Sequence, residues 1–325
     1  MVSIEQPSAE SVALGRTGIT ISPVGVGTWQ WGDRRVWGYG QGGYTDADLR
    51  AAFAASLAAG ITFFDTAEIY GQGRSETLLG QFVREAGQEV VVASKVMPWP
   101  WRRRGSPLRD ALQHSLERLG MERLDLYYIH WPLYLWPGDL ERLADALAGA
   151  VEAGLVRAAG VSNHSVRQMQ RVARVLQARG IPLAANQVRY SLLDRTPERN
   201  GVLDACRRMG VTLVAYSPLA QGLLSGKYTP AHPPPRVRGF MAGRKLVAAQ
   251  PLLDQLRTIG AAHGGKTCAQ VALNWLVGQG TVPIPGAKNA RQAAENAGAL
   301  GWRLTAEEMQ QLDRASAPAA GPARP

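Results

Sequence analysis

The segment ITFFDTAEIYGQGRSETLLGQFVREAGQEVVVASK, residues 61–95, holds two short apolar runs at 61–65 and 90–94, with a helical pattern between them. Each run has the length of a strand buried on both faces, as in a parallel sheet. The first run ends in Asp65, and the second is followed at once by Lys95. In a strand–helix–strand unit with parallel strands, these two polar ends share one edge of the sheet.

Outward from this segment the pattern repeats. Further runs lie at 24–28, 124–130, 157–162, 183–187, 212–216 and 281–286. Helix start signals fall between them. Thr45 and Asp48 are spaced as a capping-box variant, and Ser106-Pro107 pairs an N-cap with proline at the first helical position. Ser165 with Gln168, and Thr305 with Glu308, form capping boxes. Eight strand–helix units are the count of an α/β (β/α)8 barrel, also called a TIM barrel. No break in composition divides the chain, so one barrel domain is expected over 1–316. The small, Pro-rich tail 317–325 is expected to be disordered. The N-terminal stretch LGRTGITISPVG reads as a short β-hairpin that plugs the barrel bottom. Extra helices and loops are expected on the catalytic face. The longest irregular stretch, 217–245, contains Pro233–Pro235 and follows the seventh strand; a loop of that length is usually functional.

The runs end in Thr28, Asp65, Lys95, His130, Ser162–Asn163, Gln187, Tyr216–Ser217 and Gly286. In a parallel barrel all of these point to one face, where catalytic groups of such barrels sit.

Composition narrows the function classes. With 46% hydrophobic residues, the 325-residue chain is neither disordered nor fibrous. No apolar run reaches the roughly 18 residues that span a bilayer. Two cysteines, Cys206 and Cys268, exclude a disulfide framework and a multi-cysteine zinc site, and no metal is expected. The net charge of +10 is nearly all arginine, since the only lysines are Lys95, Lys227, Lys245, Lys266 and Lys288. Apart from Arg102–Arg104 the arginines are scattered through helical stretches, which is the pattern of a solvated surface. A nucleic-acid binder would show that charge as a salt-dependent patch, and no nucleic-acid motif is present. Neither nucleic acid nor membrane is expected as a partner. The start of the chain lacks a basic segment followed by an apolar one, so a cytoplasmic protein is expected.

One motif misleads. Gly38-Tyr39-Gly40-Gln41-Gly42-Gly43 matches G-x-G-x-x-G, with Asp65 about twenty residues on. The residues before it, GDRRVW, do not form a strand, and Tyr44-Thr45-Asp46 separates it from its helix. A flexible glycine-rich loop is the better reading.

Asp65, Tyr70, Lys95 and His130 lie at or just beyond consecutive strand ends and can converge. Such a cluster suits carbonyl reduction. A lysine cation beside a tyrosine favours the phenolate and lowers a pKa that is ordinarily near 10. A carboxylate holds the lysine charged, and a neutral histidine can orient the substrate oxygen. The hydride would have to come from a nicotinamide cofactor. Taken singly, each residue has a plainer reading: a structural ion pair, a rim aromatic, a satisfied core histidine.

With these residues in place, the chain resembles the aldo-keto reductase superfamily, from LGRTGITISPVGVGTWQWG to PIPGAKNARQAAEN. The specific pieces are FFDTAEIYG, VVASK, LDLYYIHWP, GVSNHS, NQVRYS and AYSPLAQGLLSGKY. The resemblance implies that Asp65, Tyr70, Lys95 and His130 form a catalytic tetrad, with Tyr70 the general acid. It implies that Ser162, Asn163 and Gln187 bind the nicotinamide carboxamide and that Tyr216 stacks on the ring. Ser217, Leu219, Gln221, Gly222 and Lys227 would hold the pyrophosphate. Gly286, Lys288, Gln292, Glu295 and Asn296 would hold the adenosine end, with Glu295 accepting from the adenine amino group. The best-known members carry a lysine at the position of Gly286 and an arginine at that of Gln292. Here Lys288 or Arg291 would meet a 2′-phosphate, so NADPH is expected, with NADH the other candidate.

Seven of the nine tryptophans fall in three loops of the catalytic face: Trp29, Trp31 and Trp37; Trp99 and Trp101; Trp131 and Trp136. Trp29, Trp31, Trp99 and Trp131 are expected to wall a pocket for a small carbonyl substrate, an aromatic one by stacking. Arg102–Arg104 would attract a phosphate or carboxylate, as on a pyridoxal-type aldehyde. The expected function is NADPH-dependent reduction of aldehydes and ketones. The alternative that the resemblance implies is a redox-sensing regulatory subunit that holds cofactor and turns over slowly.

Overall fold

The computed structural model describes residues 10–99, 107–133, 138–229, 232 and 237–317, apart from the side chains of 107 and 237–245. Two strands, β1 (Val12–Ala13) and β2 (Thr20–Ile21), pair antiparallel. Eight more follow: β3 (Val26–Gly27), β4 (Phe63–Asp65), β5 (Val91–Val96), β6 (Leu124–Ile129), β7 (Val156–Ser162), β8 (Leu183–Arg189), β9 (Thr212–Tyr216) and β10 (Val282–Pro283). They stand side by side in chain order, and every neighbouring pair is parallel. A parallel bridge between Gly27 and Gly286 joins the last strand region to the first. Across that seam Gly25 N–H donates to Pro283 O at 2.9 Å and Gly27 N–H to Pro285 O at 3.1 Å. The seam is tight, because a β-carbon on Gly27 would stand 2.9 Å from Ile284 O. The expected (β/α)8 barrel is the observed fold.

Strand alternation sorts the side chains and places the polar ends. On β4, Phe63 packs inside the barrel, Phe64 packs outward against the helices, and Asp65 therefore returns to the inside. On β5, Ala93 is inside and Ser94 faces outward to Glu76, which returns Lys95 to the interior. On β6, Leu126 and Tyr128 are inside while Tyr127 and Ile129 pack outward, so His130 is the next inward position. The barrel interior is filled by these residues with Ala158, Ala184, Val214, Val282 and Ile284.

The hairpin supplies Leu14, Ile19 and Ile21 to that same interior cluster and so closes the barrel bottom. Gly15 makes the close approach, with φ +57° and Gly15 N–H donating to Thr212 Oγ1 at 2.8 Å.

Helices fill the connections, and their caps follow the sequence signals. Ser165 N–H donates to Gln168 Oε1 at 2.9 Å and Thr305 N–H to Glu308 Oε2 at 2.8 Å. Thr45 N–H donates to Asp48 Oδ2 at 2.8 Å, so the helix Asp46–Ala58 starts after the glycine-rich stretch 38–43, as read. The cap expected at Ser106 lies outside the described residues, as does the tail beyond 317. The irregular stretch expected over 217–245 is shorter than that. A 3-10 turn occupies Ala220–Ser225, and a helix runs over Val237–Ala262. Alanine, leucine, lysine and arginine after the proline run are good helix formers, and Gly239 and Gly243 had obscured the pattern. Among the described residues no helix is long and apolar enough to cross a membrane.

Candidate active site

At the C-terminal ends of the strands, the ammonium of Lys95 binds Asp65 Oδ1 and also donates to Thr66 O at 2.7 Å. Both side chains are almost wholly buried, at 0% and 1% exposure. Gln187 Nε2 donates to the other carboxylate oxygen of Asp65 at 2.7 Å. A buried charge is tolerated when it is paired and its remaining atoms are bonded, and here both oxygens of Asp65 are engaged. Burial pushes the Asp65 carboxyl up and the Lys95 ammonium down, and each charge opposes the other's shift.

The Tyr70 ring lies over this pair, with Lys95 Nζ 5.0 Å from the ring centre. Its other neighbour is His130, whose ring meets it edge-on at 5.8 Å and 80°. Tyr128, one inward position below His130, has its ring centre 5.7 Å from Lys95 Nζ. The structure thus brings Asp65, Tyr70, Lys95 and His130 together.

The electrostatics correct one expectation. A lysine near the phenol was expected to lower its pKa. Instead burial, with the Asp65 charge adding to it, raises the Tyr70 phenol well above its ordinary value of 10. Tyr70 is a neutral phenol that carries its proton throughout the physiological range. His130 goes the other way: burial, then the Lys95 charge, lowers it to about 3, so its ring is neutral. Its Nδ1 is buried with no partner among the described residues.

Asn163 ties the cluster to the next strands. Its Nδ2 donates to His130 O at 3.1 Å and to Ser162 Oγ at 3.0 Å, and its Oδ1 accepts from Tyr216 OH at 3.0 Å. These bonds hold Asn163 at φ +62°, a region that residues other than glycine seldom occupy. Ser217, Ala220 and Gln221 have φ +51°, +48° and +57°. Such strain gathers where a ligand site needs a special backbone course.

A cleft of about 610 Å³ opens over the cluster. Asp65, Tyr70 and His130 line it, and Lys95 lies just behind them. Every position expected to hold cofactor also lines it: Ser162, Asn163, Gln187, Tyr216, Ser217, Leu219, Gln221, Gly222, Lys227, Gly286, Lys288, Gln292, Glu295 and Asn296. These come from the ends of β7, β8 and β9, the 3-10 turn and the residues just after it, the segment after β10 and the helix Ala290–Ala297.

The tryptophans divide. Trp29 and Trp131 line the cleft and are 36% and 41% exposed. Trp31 does not wall a pocket: it is fully buried, packs on Phe82 at 5.6 Å and donates from Nε1 to Ala287 O at 3.0 Å. Trp99 is half-buried and stands outside the cleft lining. Trp101, Arg102–Arg104 and Trp136 lie outside the described residues.

Several lining residues escaped the sequence reading. Arg189 sits two residues beyond Gln187, so a strict period of two would have found it, as it would the buried Tyr128 beside Lys95, two residues before His130. Arg189 Cζ is 5.9 Å from the Tyr216 ring. Trp37 packs edge-on to Trp29 at 5.5 Å and under Lys288 Nζ at 4.8 Å. Gln30 carries no local signal, since its place depends on a segment 256 residues away.

The model of the aldo/keto reductase family matches residues 23–317. The chloroplastic pyridoxal reductase of Arabidopsis thaliana is 41% identical over 310 residues, 92% of this chain and 84% of the relative. The L-glyceraldehyde 3-phosphate reductase of Escherichia coli O157:H7 is 32% identical over 325 residues, 92% of this chain and 90% of the relative. Among solved structures, an aldo-keto reductase from Klebsiella pneumoniae in complex with NADPH has a TM-score of 0.75 at 28% identity, covering 97% of this chain and 98% of its own.

Proposed function

Because the chain belongs to the aldo/keto reductase family, we propose that it reduces aldehydes and ketones with NADPH and that Tyr70 supplies the proton. The observation that carries this reading is a neutral phenol and a neutral imidazole held over a buried Lys95–Asp65 pair, in a cleft that the expected cofactor positions also line.

The residues present fit a dinucleotide. Lys227, Lys288 and Arg291 bring positive charge to the cleft lining, and Asn163, Gln187 and Tyr216 bring amides and a ring. When bound, the nicotinamide supplies hydride to the carbonyl carbon. Everything else falls to the chain. His130 offers a neutral ring nitrogen to the substrate oxygen and sets its angle. Tyr70 gives its proton to that oxygen as negative charge develops there. A phenol held well above 10 is a weak acid, so its anion needs support at the moment of transfer. Lys95, 5.0 Å from the ring centre, is the cation placed to give it. Asp65 opposes that support by its own charge and earns its place by holding Lys95 protonated and oriented. Gln187 and Thr66 O fix the pair from both sides.

We read the substrate as a small aldehyde with an aromatic or flat apolar body. Trp29, Trp131 and Ile69 are exposed at the cleft beside Tyr70 and would bury such a face. The similarity to a pyridoxal reductase supports this reading. The single domain over 1–316 belongs to the same proposal. The test is NADPH oxidation over a panel that includes pyridoxal, benzaldehydes and short aliphatic aldehydes. Turnover with the aromatic members is expected. No turnover with any carbonyl would overturn the reading.

A further inference from the structure

The loop after β3 does not serve the substrate side alone. Its aromatic residues are bound to the segment after β10, across the seam of the barrel. Trp31 Nε1 donates to Ala287 O at 3.0 Å, and Lys288 Nζ donates to Trp37 O at 3.4 Å while lying 4.6 Å from the Tyr44 ring. The Tyr44 hydroxyl in turn donates to the carbonyl of Gln30. Gln30 is therefore held at its carbonyl by Tyr44, and the next residue, Trp31, is tied across the seam.

Its side chain crosses the seam and lies flat on Gly286. A β-carbon at 286 would overlap the Gln30 carboxamide, so only glycine leaves room for it. Gln30 lines the same cleft as Gly286, Lys288 and Gln292. Its Oε1 is buried with no hydrogen-bond partner among the described residues. Buried polar atoms are nearly always satisfied in folded proteins, and an unsatisfied one at a ligand cleft marks a partner that arrives with the ligand.

We propose that Gln30 is a dinucleotide-binding residue, seated by Gly286, whose Oε1 accepts a hydrogen bond from a hydroxyl or amino group of the bound cofactor. The inference rests on the NADPH reading above. The phosphates of a dinucleotide carry no donors near neutral pH, so an acceptor serves its sugar or base groups.

The test is equilibrium titration of NADPH into the cofactor-free protein, followed by quenching of tryptophan emission. Gln30→Leu is expected to weaken NADPH binding about five- to tenfold, the worth of one neutral hydrogen bond. Gln30→Glu keeps the acceptor and is expected to bind better than Gln30→Leu. Gly286→Ala should weaken binding in the parent, where it displaces the amide, and much less in Gln30→Ala, where there is no amide to displace. Parent-like affinity of Gln30→Leu would overturn the proposal while leaving the NADPH reading intact. A Gln30→Glu protein weaker than Gln30→Leu would overturn the acceptor role, because it would put a phosphate opposite the amide. A parent that binds no NADPH would overturn both readings. The Gln30 variants change a side chain half in the cleft, and unchanged thermal unfolding would confirm that they fold.

Discussion

Gln187 donates from Nε2 to Oδ2 of Asp65 at 2.7 Å, joining β8 to β4 across the barrel interior. With Lys95 on Oδ1, this leaves no carboxylate oxygen of Asp65 unbonded. The bond makes one residue answer to two demands. Gln187 lines the cleft, and it also satisfies a buried charge at the barrel's centre.

Gln187→Ala should therefore lower stability as well as any cofactor affinity. A buried acceptor left unmet costs about 1–3 kcal/mol, more beside a charge. Denaturant unfolding of the cofactor-free protein is the measurement. An unchanged midpoint would mean that water replaces the amide at no cost, and the coupling between the two roles would be lost.

Tyr70→Phe removes the proton and leaves the ring over Lys95. A fall in kcat of about 10²–10⁴-fold is expected, the usual worth of a positioned acid. NADPH affinity, read by fluorescence titration, should stay within about twofold. Retained turnover would remove Tyr70 from the acid role and turn attention to His130.

The barrel and the four clustered side chains were legible for a common reason. In a parallel barrel, alternation and strand order place residues without knowledge of distant contacts, and Asp65, Lys95 and His130 each follow an apolar run. What could not be read depended on depth or on remote partners. Trp29 and Trp31 look alike in the sequence, yet Trp31 is buried because its indole meets Ala287, 256 residues on. The direction of the Tyr70 shift was missed for a related reason. Proximity to Lys95 follows from strand order, but the loss of water around the phenol outweighs it and is invisible without the packed structure.

The buried histidines should make stability pH-dependent. Burial lowers His164 to about 4 and His130 to about 3, against an ordinary value of 6.5. In both, the folded form holds its proton less tightly than the unfolded chain. Their contribution is therefore full above about pH 6.5 and is lost as the pH falls toward those values. Each such group adds a slope of about 1.4 kcal/mol per pH unit between its two pKa values. His164→Asn removes one of them, outside the cluster of Asp65, Tyr70, Lys95 and His130. Unfolding free energies measured by urea between pH 4.5 and 6 should then rise less steeply with pH in the variant. Equal slopes would show that His164 is protonated in the folded protein.

Trp131 offers the sharpest test of the substrate class. It is 41% exposed, follows His130 directly and lines the cleft, so its ring has apolar surface to give to a substrate. Covering part of an aromatic face is worth about 1–1.5 kcal/mol at 25 cal/mol per Å². For Trp131→Ala, kcat/KM for an aromatic aldehyde should fall about five- to tenfold, while that for a two- or three-carbon aldehyde stays within about twofold. The contrast matters more than either number. Equal losses on both substrates would mean that Trp131 only braces His130, and the aromatic preference would then have to rest on Trp29 and Ile69 alone.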